Sequence, residues 1–283
     1  MNPVISPATA APSGRRGPAL FGISLGYFMV LLDTTVLSVA EPDLADSLHG
    51  TVAGLQWAVT GYTVVFGALL LSAGAVADRY GAHRVFRAGV AAFGAGSLLC
   101  AAAPDLWTLV ALRAVLGAAA AACVPASMAM IARLYPAPAE RARAVATWAA
   151  TSGAALAAGP VAGGALVGLA GWRAIFLVNV PLAAAVLALA AGRPVHCPRG
   201  TRRLDPVAQL LACAALGLLT DALIALGGGP GAHAAVSAAG AVAASAAFAV
   251  RERGSEAPVL VPAVLRAPGM PAALAAAPPS TSS

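Results

Sequence analysis

Eight stretches of about 20 predominantly apolar residues, separated by short polar connectors, dominate this chain and leave it few folds to choose from. They cover residues 19–40, 57–77, 86–103, 107–131, 144–169, 172–191, 206–226 and 232–250. A helix of about 20 apolar residues crosses the ~30 Å hydrocarbon layer of a bilayer, and no other open backbone form satisfies its hydrogen bonds there. The whole chain is 60% hydrophobic and 10% charged, with a mean hydropathy of +0.83. Soluble domains carry roughly 25% charged residues. The expected fold class is an all-α integral membrane protein with about eight transmembrane helices. Arg87 falls near the start of the third and shortest stretch, where its long side chain can snorkel to the headgroups.

Glycine and proline agree with that solvent. Gly153, Gly159, Pro160, Gly163, Gly164, Gly171 and Pro181 crowd the fifth and sixth stretches. In a soluble helix each costs about 1 to 3 kcal/mol. In a membrane, small residues let helix backbones touch, and prolines are tolerated.

The connectors predict an orientation. Arg15, Arg16, Arg79, Arg84, Arg87, Arg133, Arg141, Arg143, Arg193, Arg199, Arg202, Arg203, Arg251 and Arg253 all fall on one side. The opposite connectors carry Glu41, Asp43, Asp46, His49, Asp105 and His233 with a single arginine, Arg173. Arginine-rich loops stay in the cytoplasm, so both ends are expected there. The domain plan is a cytoplasmic tail over 1–18, a six-helix unit over 19–192, a basic linker over 193–205, a two-helix hairpin over 206–250 and a Pro-rich cytoplasmic tail over 251–283. The first apolar run is too long for a signal-peptide core.

Several function classes find no support. The formal net charge is +6, but the basic residues are dispersed between apolar runs, so no nucleic-acid face is expected. Cys100, Cys123, Cys197 and Cys213 form no CxxC pair and share no metal-ligand spacing with the four histidines. They read as small packing residues, and no metal or cofactor is expected. No phosphate-binding loop is present. A non-transport membrane protein is the competing class. Thr151-Ser152-Gly153 invites a hydrolase reading, yet no histidine lies in a firmly assigned span to activate the serine.

Charges inside apolar spans are costly and therefore mark function by default. Asp33 lies in the first span, Arg113 in the fourth and Asp221 in the seventh. A buried carboxylate beside a movable cation can take and release a proton; the alternative is a static ion pair or a polar contact between helices. Between the second and third spans, Gly74, Asp78, Arg79, Gly81 and Arg84 form a loop pattern on the arginine-rich side. Gly74 permits close packing, Gly81 a turn with positive φ, and Asp78 a contact with a helix N-terminus.

These segments resemble the major facilitator superfamily, and within it the fourteen-helix drug:proton antiporters. Leu32-Asp33-Thr-Thr-Val-Leu-Ser-Val-Ala-Glu-Pro42 is similar to that branch's first-helix signature. Gly74–Arg84 resembles the superfamily's loop motif, Arg113 with Gly117 its fourth-helix motif, and Gly159-Pro160-Val-Ala-Gly163-Gly164 its antiporter motif. The branch's Trp-Arg-x-Ile-Phe-x-x-Asn-x-Pro follows at Trp172–Pro181. Departures are Ser38, Glu41, His83, Leu116 and Ala155.

The resemblance implies proton coupling by Asp33 and Arg113, a cytoplasmic gate at Gly74, Asp78, Arg79, Gly81 and Arg84, and a packing hinge at Gly159, Pro160, Gly163 and Gly164. It implies export of a hydrophobic or cationic drug in exchange for protons, across a bacterial cell membrane whose lipids are its surroundings. It leaves the substrate and the roles of Asp221 and Glu41 open. It also implies a second six-helix domain beyond the hairpin, which this sequence does not continue into. The expectation is a truncated antiporter, with a half-transporter needing a partner chain as the alternative.

Overall fold

The computed structural model describes residues 16–190, 205–227 and 231–254. The tails at 1–15 and 255–283 and the connector at 191–204 lie outside these residues. So do Cys197 and the arginines Arg15, Arg193, Arg199, Arg202 and Arg203 that entered the orientation argument. The described chain is helical: α1 (Arg16–Leu48), α2 (Val52–Tyr80), α3 (Ala82–Ala101), α4 (Leu106–Leu134), α5 (Pro138–Ala170), α6 (Arg173–Leu177), α7 (Asn179–Ala190), α8 (Pro206–Gly227) and α9 (Ala232–Gly254). Because α6 and α7 together make one crossing, the described residues contain eight helical spans long and apolar enough to cross a membrane.

Helix ends follow local chemistry. Thr51 caps α2 by accepting from the Gly54 N–H at 3.2 Å, and Asp105 caps α4 by accepting from the Thr108 N–H at 2.9 Å. Each supplies an acceptor to an otherwise unpaired first-turn donor. The Asp105 carboxyl is held below the usual carboxylate range by the hydroxyl and N–H of Thr108. Pro138 opens α5, where a missing N–H costs nothing. Between α2 and α3 only Gly81 intervenes, at φ 94°, a backbone region that suits glycine. The segment 74–84 is thus not a loop, as its polarity suggests. Asp and Arg interrupt hydropathy without interrupting the helix, so α2 runs on to Tyr80.

The sixth span is broken at Val178. Pro181 has no N–H to donate to the Leu177 carbonyl one turn back, and α6 ends at Leu177. The Asp43 carboxylate on α1 accepts from the Trp172 N–H at 2.7 Å, pinning the entry to α6 where Gly171 turns at φ 73°.

Packing divides the helices into inner and outer sets. Of the most apolar stretch of α1, α3 and α4, 56% is buried, against 17% for α5 and 6% for α8. α2 packs on α4, α1 on α5 and α7, and α3 on α4 and α7, while α8 and α9 form a hairpin that leans on α2. Lipid tails are as apolar as leucine, so close contact of small residues drives these pairings. Gly117 is the clearest case. A Cβ there would sit 2.3 Å from the Tyr62 carbonyl oxygen of α2 and 3.2 Å from the Phe66 nitrogen. The two backbones touch.

Candidate functional site

Asp33, near the middle of α1, forms an ion pair through Oδ2 with Nη1 of Arg113 on α4. The two side chains are 2% and 1% exposed. A charge in this interior persists only if its hydrogen bonds are nearly complete. Three helices complete them. Asn179, the first residue of α7, donates from Nδ2 to Asp33 Oδ1 at 2.9 Å and lies 3.3 Å from the Ser97 hydroxyl of α3. Arg113 donates from Nε to the Ala58 carbonyl of α2 at 3.1 Å. Its guanidinium also lies 4.4 Å from the ring centre of Tyr62, within cation–π range. The Tyr62 hydroxyl donates to the Val30 carbonyl at 3.4 Å.

Sequence reading found Asp33 and Arg113 because each is a charge in an apolar run. Asn179, Ser97 and Tyr62 carried no such mark. Asn179 does stand inside the quoted Trp172–Pro181 pattern, at the point where the sixth crossing breaks. That break frees local backbone and turns an amide into the interior. Asn179 Oδ1 is buried and has no donor among the described residues.

The structure separates the other expected residues from this pair. Gly159 and Gly163 lie on the α1–α5 seam: a Cβ at Gly159 would come within 1.9 Å of Thr35 Oγ1, and one at Gly163 within 3.2 Å of the Val36 carbonyl oxygen. Thr35 and Val36 follow Asp33 by one turn or less, so this seam fixes the α1 segment that carries the carboxylate. Pro160 and Gly164 face outward, and a Cβ at Gly164 would meet nothing within 4 Å. A Cβ at Gly74 would sit 3.8 Å from Pro125 Cβ of α4, in ordinary contact. Asp78, Arg79 and Arg84 are exposed around the Gly81 turn. Asp78 and Arg84 have no ion-pair partner among the described residues, while Arg79 lies over the Tyr80 ring at 5.6 Å.

A family model described as the Major Facilitator Superfamily matches residues 23–277. The chain belongs to the major facilitator superfamily. It is thereby a multi-pass membrane protein of a transporter family. This superfamily chain is 42% identical over 205 residues to the methylenomycin A resistance protein of Bacillus subtilis (strain 168), covering 72% of the chain and 44% of that relative. It is 41% identical over 217 residues to the puromycin resistance protein pur8 of Streptomyces alboniger, covering 76% and 43%. A third relative, the methylenomycin A resistance protein of Streptomyces coelicolor (strain ATCC BAA-471 / A3(2) / M145), is 35% identical over 269 residues, covering 93% and 56%. The chain spans about half the length of the curated relatives it matches.

Among solved structures, a bacterial homologue of the human lysosomal transporter Spinster, inward-facing and unoccupied, matches with a TM-score of 0.60 at 19% identity. The match covers 86% of this superfamily chain and 63% of that one. It establishes the shared fold.

Asp221, the third charge expected to mark function, forms no hydrogen bond or ion pair with Asp33 or Arg113 among the described residues. On α8 it accepts from Trp57 Nε1 of α2 at 3.4 Å and from the Ser237 hydroxyl of α9 at 2.6 Å. Its contacts therefore join the hairpin to α2.

Proposed function

We propose that this chain carries the proton-coupling half of a drug exporter that exchanges a hydrophobic or cationic drug for protons. The observation that supports this reading best is the fully buried Asp33–Arg113 pair, braced by Asn179 at the meeting of α1, α4 and α7. The antibiotic-resistance names of the relatives point the same way.

The chemistry is a proton-controlled ion pair. With Asp33 ionised, Arg113 is held between the carboxylate and the Ala58 carbonyl. A proton on Asp33 cancels that attraction, because a neutral carboxyl no longer offsets the cost of the buried guanidinium. Arg113 is then drawn toward the remaining acceptor on α2 and the Tyr62 ring. Asn179 suits both states: its Nδ2 donates to the ionised carboxylate, and its unpaired Oδ1 accepts from the protonated one after the amide rotates. Protonation therefore redistributes contacts among α1, α2, α4 and α7, which is what an alternating-access cycle requires of its coupling site.

The remaining parts take their places around that site. Gly159 and Gly163 hold α1 against α5 at close range, as the packing hinge of the unit. Gly74, Asp78, Arg79, Gly81 and Arg84 act as the cytoplasmic gate against a second domain, and the exposed Asp78 is the group to be engaged. Both chain ends are placed in the cytoplasm of a bacterial cell, on the arginine-rich side, and the protein acts on its substrate without chemical conversion.

Puromycin and methylenomycin A are the first probes to try on the purified chain in lipid nanodiscs. Binding should weaken as pH falls, and Asp33→Asn should remove the pH dependence while Glu140→Gln leaves it. Binding that is indifferent to pH in the parent chain contradicts the reading.

A further inference from the structure

The hairpin holds a second ionisable cluster. Asp221 near the end of α8 takes hydrogen bonds from two side chains on two other helices and has a histidine beside it. Trp57 Nε1 of α2 donates to Oδ1 at 3.4 Å, Ser237 of α9 donates to Oδ2 at 2.6 Å, and His233 Nε2 stands 3.0 Å from Oδ2. The Asp221 side chain is 26% exposed and that of His233 is 73% exposed. A carboxylate inside a span is thus covered on its protein side by two donors, with a largely exposed imidazole beside it.

We propose that Asp221 and His233 form a proton-binding site that latches the α8–α9 hairpin onto the Trp57 turn of α2. The proton comes from water and goes to the imidazole; no other bond is made or broken. Histidine changes charge between about pH 5 and 8, the one ordinary side chain to do so. When it is neutral, Asp221 holds a lone charge against Trp57 and Ser237. When it is protonated, the carboxylate is paired within the hairpin, and the hydrogen bond it accepts from Trp57 changes with it.

Other ionisable groups on these helices stand away from this pair. On α2, Tyr62 faces Arg113, while Asp78, Arg79 and Tyr80 stand at the opposite end of the helix. On α8, Cys213 lies more than two turns away, and Asp205 at the far end is engaged by Arg251 at 3.0 Å. Arg251, Glu252 and Arg253 share that far end of α9.

The latch has a route inward. Trp57 touches the hairpin carboxylate, and the next residue, Ala58, supplies the carbonyl that holds Arg113 at 3.1 Å. One turn of α2 therefore grips both acidic sites. The inference does not depend on what the chain exports.

The test uses the full 283-residue chain in lipid nanodiscs, labelled with 5-fluorotryptophan, and follows its four tryptophans by 19F NMR from pH 8 to 5. Trp57→Phe assigns the Trp57 signal. The expected result is a titration step on Trp57 alone, with Trp107, Trp148 and Trp172 unmoved. His233→Gln, at an exposed side chain with little packing to lose, should abolish the step, and so should Asp221→Asn. A Trp57 signal that ignores pH, or a step that survives His233→Gln, overturns the proposal. Should Asp221→Asn fail to fold, the His233→Gln result decides alone.

Discussion

Neutralising one member of the Asp33–Arg113 pair should be far more damaging than neutralising both. Both side chains are almost fully buried, and each has a direct partner on the other. Replacing Arg113 by Met strands the Asp33 carboxylate with only the Asn179 amide to stabilise it. Replacing Asp33 by Asn strands the guanidinium with the Ala58 carbonyl and the Tyr62 ring. Breaking a buried pair in this way costs about 3 to 5 kcal/mol. In Asp33→Asn/Arg113→Met no charge is left. The new Asn side chain keeps an acceptor for Asn179, Met refills the volume, and Ala58 loses only one donor to its helical carbonyl, a loss of about 1 kcal/mol. For a domain of this size each kcal/mol moves Tm by about 2 to 4 °C. Each single variant should therefore melt roughly 6 to 20 °C below the parent, and the double variant within about 4 °C of it. Thermal unfolding of the four proteins in one detergent checks this. A double variant whose loss equals the sum of the singles would refute the reasoning, because the pair would then be a source of stability. The predicted outcome means that the charges are kept for something other than the fold.

The helix seams give a second contrast. Gly117→Ala should lower stability by about 1 to 3 kcal/mol, since its Cβ meets the α2 backbone and no side chain can step aside. Gly164→Ala, which meets nothing, should leave Tm unchanged or raise it by the helix-propensity gain of up to about 1 kcal/mol. Asn179→Ala should cost about 1 to 3 kcal/mol by leaving Asp33 Oδ1 without its donor, measurable by the same melts. For acid stability, the lowered Asp105 carboxyl contributes to the fold above its ordinary value near 3.9 and loses that contribution as pH falls through its lowered one. Asp105→Asn should flatten the melting profile below about pH 4 relative to the parent and leave the profile at pH 5 to 8 parallel to it.

How far the sequence could be read follows from what hydropathy measures. Apolar content marks where a helix crosses lipid, so all eight crossings were visible. It does not mark where a helix ends. α1 continues past Pro42 to Leu48, and α5 begins at Pro138, several residues before its apolar run. At 1.5 Å per residue, 33 residues span about 50 Å, well beyond the hydrocarbon layer. The same blindness turned the polar end of α2 into an apparent loop, when only Gly81 has a turn conformation. Of the buried site, the ionised members were legible because desolvation makes charge conspicuous. Ser97, Tyr62 and Asn179 were not, because uncharged polar residues occur in membrane helices without such a cost. Only Asn179 had a further signal, its place beside the Pro181 break. Gly159 and Gly164 looked alike in sequence. Helix phase separates them, with one against Thr35 and the other facing outward.

Proton release on ligand binding tests the central claim most directly. Ethidium, an aromatic cation, would be titrated into the purified chain calorimetrically, in buffers that differ in ionisation enthalpy. If Asp33 is the coupling group, the buffer dependence should report protons released on binding by the parent chain and none released by Asp33→Asn. Binding with no proton release, or with the same release in Asp33→Asn, would contradict the account.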